Sequence, residues 1–239
     1  MPRFFVSGFE GGTAVVTGED ARHIAKVLRM RIGEKLTLCD GRGEDCLCEI
    51  TGVGEAVTLR VLSREPSKSE PTVRVTLFQA LPKAEKMEFI VQKCTELGVC
   101  SIVPVLTQRC VSRPDGRALE SKEARWRKIA LEAAKQSGRG AVPAVLHTMD
   151  FDQALASLAS MERAVMLYEL GGIPFSQAIS PDMREVGILI GPEGGFEESE
   201  AAAAKAAGIS VAGLGLRILR TETAPLCALS VVMFATGNL

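Results

Sequence analysis

The pattern of apolar and polar positions changes character once along this chain. From residue 1 to about 66, short runs dominate: Arg3–Val6, Ala14–Thr17, Lys35–Cys39, Cys46–Thr51 and Ala56–Ser63 each read as a strand. Turn signals at Gly11-Gly12, Asp40-Gly-Arg-Gly43 and Gly52 separate them. Between the second and third strands, Glu19–Met30 carries Ala21, Ile24, Ala25, Val27 and Leu28 at helical spacing, which predicts a helix with those residues inward. Five strands and one helix in so short a span predict a small β-barrel.

Arg64–Pro71 is polar and bracketed by prolines, the composition of a linker. After it, strands alternate with longer helices. Val73–Ala80, Ile102–Val105, Val142–Leu146, Ala164–Leu167, Val186–Ile190 and Val211–Leu214 are the expected strands. Ala84–Leu97, Leu119–Ser137, Phe151–Ala159, Glu197–Ala207 and Ala224–Ala235 are the expected helices. Such alternation predicts an α/β fold with a parallel sheet covered on both faces. The expected division is therefore residues 1–68 and 73–239.

The net charge of −1 conceals an asymmetry. Arg74–Arg139 holds thirteen Lys/Arg against seven Asp/Glu, whereas Gly140–Leu239 holds five against eleven. A basic middle can present a positive face to nucleic acid whatever the total charge. The commoner meaning is a solvated helix face, and the Leu119–Ser137 helix fits that. Arg125, Lys128, Lys135 and Arg139 share one stripe of it, and Trp126, Ile129, Ala130 and Ala133 the opposing one. Lys83, Lys86, Arg109 and Arg113 lie near strand ends or in a loop, which raises the nucleic-acid reading. In the first segment Arg22, His23, Lys26, Arg29 and Arg31 cluster as a phosphate-gripping patch would, although His23 alone reads as a surface histidine.

Seven cysteines form no C-x-x-C pair, and two histidines leave little with which to ligate zinc, so no metal is expected. Reduced, buried thiols in a cytoplasmic protein suit this usage. No apolar run reaches membrane-spanning length and the start lacks a signal-peptide core, so no membrane association is expected.

Chemistry concentrates near the C-terminus. Gly191-Pro-Glu-Gly-Gly195 follows an apolar strand, but no Lys-Ser/Thr completes a phosphate loop and no G-x-G-x-x-G is present. Alone it is a tight strand-to-helix turn, with Glu197 and Glu198 favourable at the helix start. Leu214–Thr223 mixes Leu216, Ile218 and Leu219 with glycine and arginine where a loop should be. Those leucines either wrap an apolar ligand ring or plug the end of the sheet. Arg220 and Glu222 flank Thr221, as an ion pair or as charges set against a substrate. No G-x-S-x-G elbow is present, and Glu193 and Glu222 are the only acids in the glycine-rich loops, so any general base is sought there.

These motifs carry a resemblance over nearly the whole chain. Arg3-Phe-Phe, His23-Ile-Ala-Lys-Val-Leu-Arg-Met30, Leu81-Pro-Lys-Ala-Glu-Lys-Met87, Glu96-Leu-Gly-Val99 and Gln136-Ser-Gly-Arg139 support it. The Gly191–Phe196 turn and the Leu214–Ala224 loop are specific to it. The chain resembles the RsmE family of 16S ribosomal RNA (uridine-N3) methyltransferases in the SPOUT superfamily.

The resemblance implies a PUA-like β-barrel for RNA, then an α/β domain with a C-terminal trefoil knot. It implies S-adenosyl-L-methionine as methyl donor, 16S rRNA of the small ribosomal subunit as substrate, and a homodimer. It maps cofactor binding onto Leu167, Tyr168 and Glu169, onto Gly191, Pro192, Glu193, Gly194 and Gly195, and onto Leu214, Gly215, Leu216, Ile218 and Leu219. Arg220, Glu222 and Glu193 become the expected catalytic residues, Arg220 to stabilise the uracil and an acid to assist proton removal or fix Arg220. RNA contacts are expected from Arg3, Arg22, His23, Lys26, Arg29, Arg31, Lys83, Lys86, Arg109 and Arg139. A sister SPOUT activity, such as ribose 2′-O methylation, or a non-catalytic RNA-binding assembly factor are the alternatives.

Overall fold

Two separate sheets underlie the change of pattern near residue 66. The computed structural model describes residues 1–239 except Ser7, Gly8 and Glu10. It divides into two compact units, Met1–Glu70 with Ala134–Val142, and Pro71–Ala133 with Pro143–Leu239.

The first unit holds β1 (Arg3–Phe5), β2 (Thr13–Val16), α1 (Gly18–Arg22), β3 (Lys35–Cys39), β4 (Glu44–Val53) and β5 (Val57–Pro66). Its sheet runs β1-β3-β4-β5-β2, with β1–β3 parallel and the other pairs antiparallel. Alternation sends Leu36, Leu38, Cys46, Cys48, Ile50 and Leu59 into one core. Burial pushes the Cys46 thiol up to about 12, and Cys39 likewise to about 12.

Two expectations needed correction here. The first three residues of the expected linker, Arg64–Pro66, are strand, pairing with Cys46, Asp45 and Glu44. The β2 ladder stops at Arg60, so among the described residues this part of β5 pairs with β4 alone, where charge and proline are tolerated. The expected helix 19–30 is α1 followed by a π-helical stretch, His23–Val27. A wider turn rotates the later residues, so Ala21 and Ile24 are buried while Val27 and Leu28 are exposed. Arg29, with φ of 53°, then turns the chain away.

The second unit contains β6 (Arg74–Ala80), α2 (Lys86–Glu96), β7 (Ser101–Leu106), α3 (Gly116–Ser137), β8 (Ala144–Val145) and β9 (Met149–Asp150). It continues with α4 (Phe151–Ala159), β10 (Ala164–Leu167), β11 (Ile173–Pro174), α5 (Phe175–Ala178) and β12 (Glu185–Ile190). Last come α6 (Glu198–Ala206), β13 (Ser210–Gly213) and α7 (Ala224–Ala235). α4 starts on cue because Asp150 and Gln153 exchange side-chain-to-backbone hydrogen bonds at 2.8 and 3.1 Å. β8 is shorter than expected, since Val142 donates its N–H to the Gly41 carbonyl at 3.0 Å within the first unit.

Every pairing in the second sheet is parallel, in the order β11-β13-β10-β12-β6-β7-β8, with β9 also on β7. Successive residues serve opposite faces. Val186, Ile188 and Ile190 join the core with α2, α3, α5 and α7, while Leu189 joins that with α4 and α6. The sheet is thus covered on both sides, as the alternation predicted. No helix among the described residues is long and apolar enough to cross a membrane.

Candidate functional site

Three neighbouring parallel strands, β13, β10 and β12, end at one rim, so the loops that follow them leave side by side. Together with Lys86 at the start of α2, these loops enclose a cavity of about 400 Å³. Leu167, Ile190, Leu219 and Ala224 supply apolar wall, and Glu169, Glu193, Arg217 and Arg220 supply charge. The volume falls in the range of small-molecule sites, about 300–1,000 Å³. Of the residues expected at the cofactor, all but Gly194 line it. Gly194 faces away, where a Cβ would lie 3.3 Å from the Arg109 side chain.

The turn after β12 is built for close approach. Gly195 closes it by donating its N–H to the Pro192 carbonyl at 3.0 Å, with φ of +69°. A Cβ at that position would fall 2.1 Å from a Glu169 carboxylate oxygen. The left-handed φ favours glycine, and any Cβ there would push the Glu169 carboxylate aside. The next loop is tied to this turn: Thr221 donates its hydroxyl to the Gly191 carbonyl at 2.8 Å and accepts from Gln79 Nε2 at 3.2 Å. Gln79, the penultimate residue of β6, is fully buried and also donates to the Ala80 carbonyl at 3.0 Å. Nothing in the sequence marked Gln79, and Thr221 stood out only by lying between Arg220 and Glu222.

The acids of the two loops share one cation, and it is not Arg220. Lys86 Nζ lies 3.1 Å from Glu193 Oε1 and 3.1 Å from Glu222 Oε2. Glu193 also accepts the Lys83 backbone N–H at 3.1 Å. Burial opposes ionisation of Glu193, but its own backbone N–H, the Lys86 ammonium and the Lys83 N–H outweigh it and lower its pKa. Burial likewise opposes Glu222, which its own N–H, Lys86 and then Arg220 hold below the ordinary carboxylate value. Lys86 is raised in turn by Glu193 and Glu222. Arg220 is exposed and makes no ion pair within 4.0 Å among the described residues. Lys86, expected on an RNA face, therefore belongs to the cavity wall.

Arg109 is likewise engaged. Its Nε and Nη2 donate to the two Glu197 oxygens at 2.8 and 2.9 Å, and its Nη1 to the Gly194 carbonyl at 2.7 Å. This bidentate grip braces the turn from outside, and Arg109 holds the Glu197 pKa down. Glu200 accepts the Glu197 backbone N–H at 2.9 Å, so the helix start is capped although Glu197's own carboxylate is spent on Arg109. Leu216 and Ile218, expected to wrap a ligand, contribute to the cavity but leave their side chains largely in solvent.

In the first unit Arg22, His23, Lys26, Arg29 and Arg31 are exposed, on and after the π-helical stretch. Arg139 is not. It is 4% exposed and its Nη2 donates to Glu70 at 2.6 Å, so its charge is consumed inside the unit and its expected place on an RNA face is corrected. Arg3 is partly buried and paired with Asp45 at 2.9 Å. Lys83 is exposed. Among the described residues no group of three His, Cys, Asp or Glu could hold a metal ion.

This geometry has relatives. A family model for an RNA methyltransferase domain matches residues 68–233, and one for an RNA methyltransferase PUA domain matches residues 16–62. Over 235 residues the chain is 37% identical to ribosomal RNA small subunit methyltransferase E of Bacillus subtilis, spanning 95% of this chain and 92% of that protein. The protein of the same name from Mycobacterium bovis is 35% identical, over 95% of this chain and 88% of its own. A crystal structure of ribosomal RNA small subunit methyltransferase E from Neisseria gonorrhoeae, bound to S-adenosyl methionine, superposes with a TM-score of 0.86. It is 32% identical and covers 98% of this chain and 97% of its own.

Proposed function

The chain belongs to the ribosomal RNA small subunit methyltransferase E family, and from this we propose that it methylates N3 of a uridine in 16S rRNA with S-adenosyl-L-methionine as donor. The observation that carries the reading is the convergence of three rim loops on one cavity, two of them tied through Thr221 and Gln79.

The residues present fit such a donor. Leu167, Ile190 and Leu219 offer apolar wall for an adenine ring, and the backbone of Gly191 and Gly213 offers groups to read its edge. Carboxylates at Glu169 and Glu193 suit a cationic ligand. The Tyr168 hydroxyl is buried with no hydrogen-bond partner among the described residues, which is costly unless a ligand or water supplies one. When bound, the donor supplies an electrophilic methyl group for an in-line displacement.

The uracil N3 is a poor nucleophile until its proton leaves. Arg220, exposed at the cavity and without an ion pair among the described residues, stabilises the uridine anion that results. Glu193, held ionised at neutral pH, is available to assist the departure of that proton, as a weak base, while Glu222 is held beside it by Lys86.

Residues 1–68 serve as a PUA-like β-barrel domain that grips RNA through Arg22, His23, Lys26, Arg29 and Arg31, and Lys83 is an RNA contact of the second unit in its own right. Residues 73–239 form the SPOUT domain with its trefoil knot. The protein acts in the cytoplasm as a homodimer. Helix α7 is apolar nearly all round, yet Phe234 on it is exposed, as is Phe89 on α2, and a second copy would cover such surface.

Incubating deproteinised 16S RNA and intact small subunits with labelled donor, then digesting to nucleosides, tests the proposal. Label in 3-methyluridine is the expected result. Label in a 2′-O-methyl nucleoside would reassign the chemistry. No donor binding by calorimetry would leave an RNA-binding assembly factor.

A further inference from the structure

The first turn of α2 places one ammonium between acids from two different loops. Lys86 Nζ is 3.1 Å from Glu193, in the turn after β12, and 3.1 Å from Glu222, in the loop after β13. All three side chains are mostly shielded, with relative exposures of 31%, 26% and 21%. Arg220 is only two residues from Glu222 and close enough to act on it, yet forms no ion pair with it. A guanidinium matches a carboxylate better than an ammonium does, so Arg220 is the natural partner for Glu222 wherever Glu222 is free.

We infer that Lys86 is a positioning residue: by occupying Glu193 and Glu222 together, it prevents Glu222 from capturing Arg220 and leaves that guanidinium open to the RNA base. The inference rests on the proposed role of Arg220 toward uracil. It divides labour among four charges, of which the sequence placed Lys86 as an RNA contact and Arg220, Glu222 and Glu193 as catalytic residues. Lys86 serves the fixed acids, which are its own neighbours in the fold. Arg220 then faces the cavity with its charge unspent. A second consequence follows for the acids. Facing Glu193 are Lys86 and the Lys83 N–H, and facing Glu222 are Lys86 and, farther off, Arg220. Without Lys86, the two carboxylates would lose the ammonium they share, and each would be harder to ionise.

Three variants of the full-length protein separate the possibilities: Lys86→Met, Lys86→Arg and the double variant Lys86→Met with Glu222→Gln. Each is assayed for single-turnover methyl transfer to small subunits and for donor affinity by calorimetry. The donor-free proteins are also titrated by NMR with carbon-13 at the glutamate carboxyls. Lys86→Met should lower turnover by about tenfold or more while donor affinity stays within about threefold. Its Glu222 resonance should titrate at higher pH than in wild type. Lys86→Arg should keep turnover within about threefold of wild type, because a cation still fills the gap. Removing the Glu222 charge should recover much of what Lys86→Met loses, since nothing then competes for Arg220.

Unchanged turnover in Lys86→Met would overturn the inference, as would a double variant no better than Lys86→Met. The reading beneath it is checked separately with Arg220→Ala. If Arg220→Ala turns over normally, the role of Arg220 falls and the inference with it. If Arg220→Ala is impaired and Lys86→Met is not, only the inference falls.

Discussion

Thr221 donates its hydroxyl to the Gly191 carbonyl at 2.8 Å, which ties the loop after β13 directly to the turn after β12. Thr221→Val keeps the shape and deletes the hydroxyl. It leaves the Gly191 carbonyl without that donor and one Gln79 bond unmade, which should cost about 1–3 kcal/mol in chemical denaturation. Donor affinity should fall about tenfold by calorimetry, since that corresponds to about 1.4 kcal/mol of lost loop definition. A variant that binds as tightly as wild type would show that the fastening does not shape the cavity.

Gly195→Ala meets two obstacles at once, φ of +69° and a Glu169 oxygen 2.1 Å from the new Cβ. Donor affinity should fall about tenfold by calorimetry, because Glu169, which lines the cavity, must swing aside. Gly208→Ala is the matched control, with φ of +80° but open space around the Cβ. It should cost only about 1 kcal/mol of stability and leave binding alone.

Arg220→Ala should reduce turnover about a hundredfold while changing donor affinity by less than about threefold, the signature of a group acting in the transition state. Equal losses in both would instead place Arg220 in the donor site.

The basic residues of the first unit divide by burial. Lys26→Ala should lower the slope of log affinity against log salt by about one for a 16S RNA fragment, without destabilising the fold. Arg139→Ala should do the reverse. Its partner Glu70 would keep the Gly140 and Ala141 N–H groups but lose its countercharge in a mostly enclosed site, costing about 3 kcal/mol of stability while the salt slope holds.

Glu123 gives a pH test remote from the cavity. Burial opposes its ionisation, but the Thr148 N–H at 2.8 Å, the Thr148 hydroxyl at 3.0 Å and His147 Nδ1 at 2.8 Å outweigh that and lower its pKa. A depressed carboxylate stabilises the fold fully above the unfolded value of about 4.3, and loses that contribution as pH falls through the folded value. Glu123→Gln should therefore be less stable than wild type at neutral pH, with the gap closing below about pH 4. A gap that stays constant on acidification would assign the effect to packing instead.

Much of this molecule is legible in its sequence because the relevant physics is local. Phe151–Ala159 and Ala224–Ala235 fall where apolar spacing puts them, and apart from β5 the expected strands are off by no more than two residues at either end, while the two-residue β9 and β11 had no signal. Where the reading failed, the cause was a partner distant in sequence. Nothing near Arg139 in the chain announces Glu70, and nothing near Arg109 announces Glu197. Lys86 looked like any other surface cation because its two acids lie more than a hundred residues away. The glycine turn and leucine loop could be located by composition, but the bond that joins them depends on Gln79, a buried amide with no motif around it. The π-helical stretch defeated periodicity for a different reason: an added residue per turn breaks the spacing on which the method relies.

The sulfur atoms of the first sheet have an outcome of their own. Cys39, Cys46 and Cys48 are buried, and the protonated form is so favoured that an electrophile in neutral solution finds almost no thiolate to attack. Alkylation must then wait for that sheet to come apart. The rate at which an excess of iodoacetamide marks these three positions becomes a built-in gauge of how often the N-terminal unit opens, readable by mass spectrometry without any engineered label.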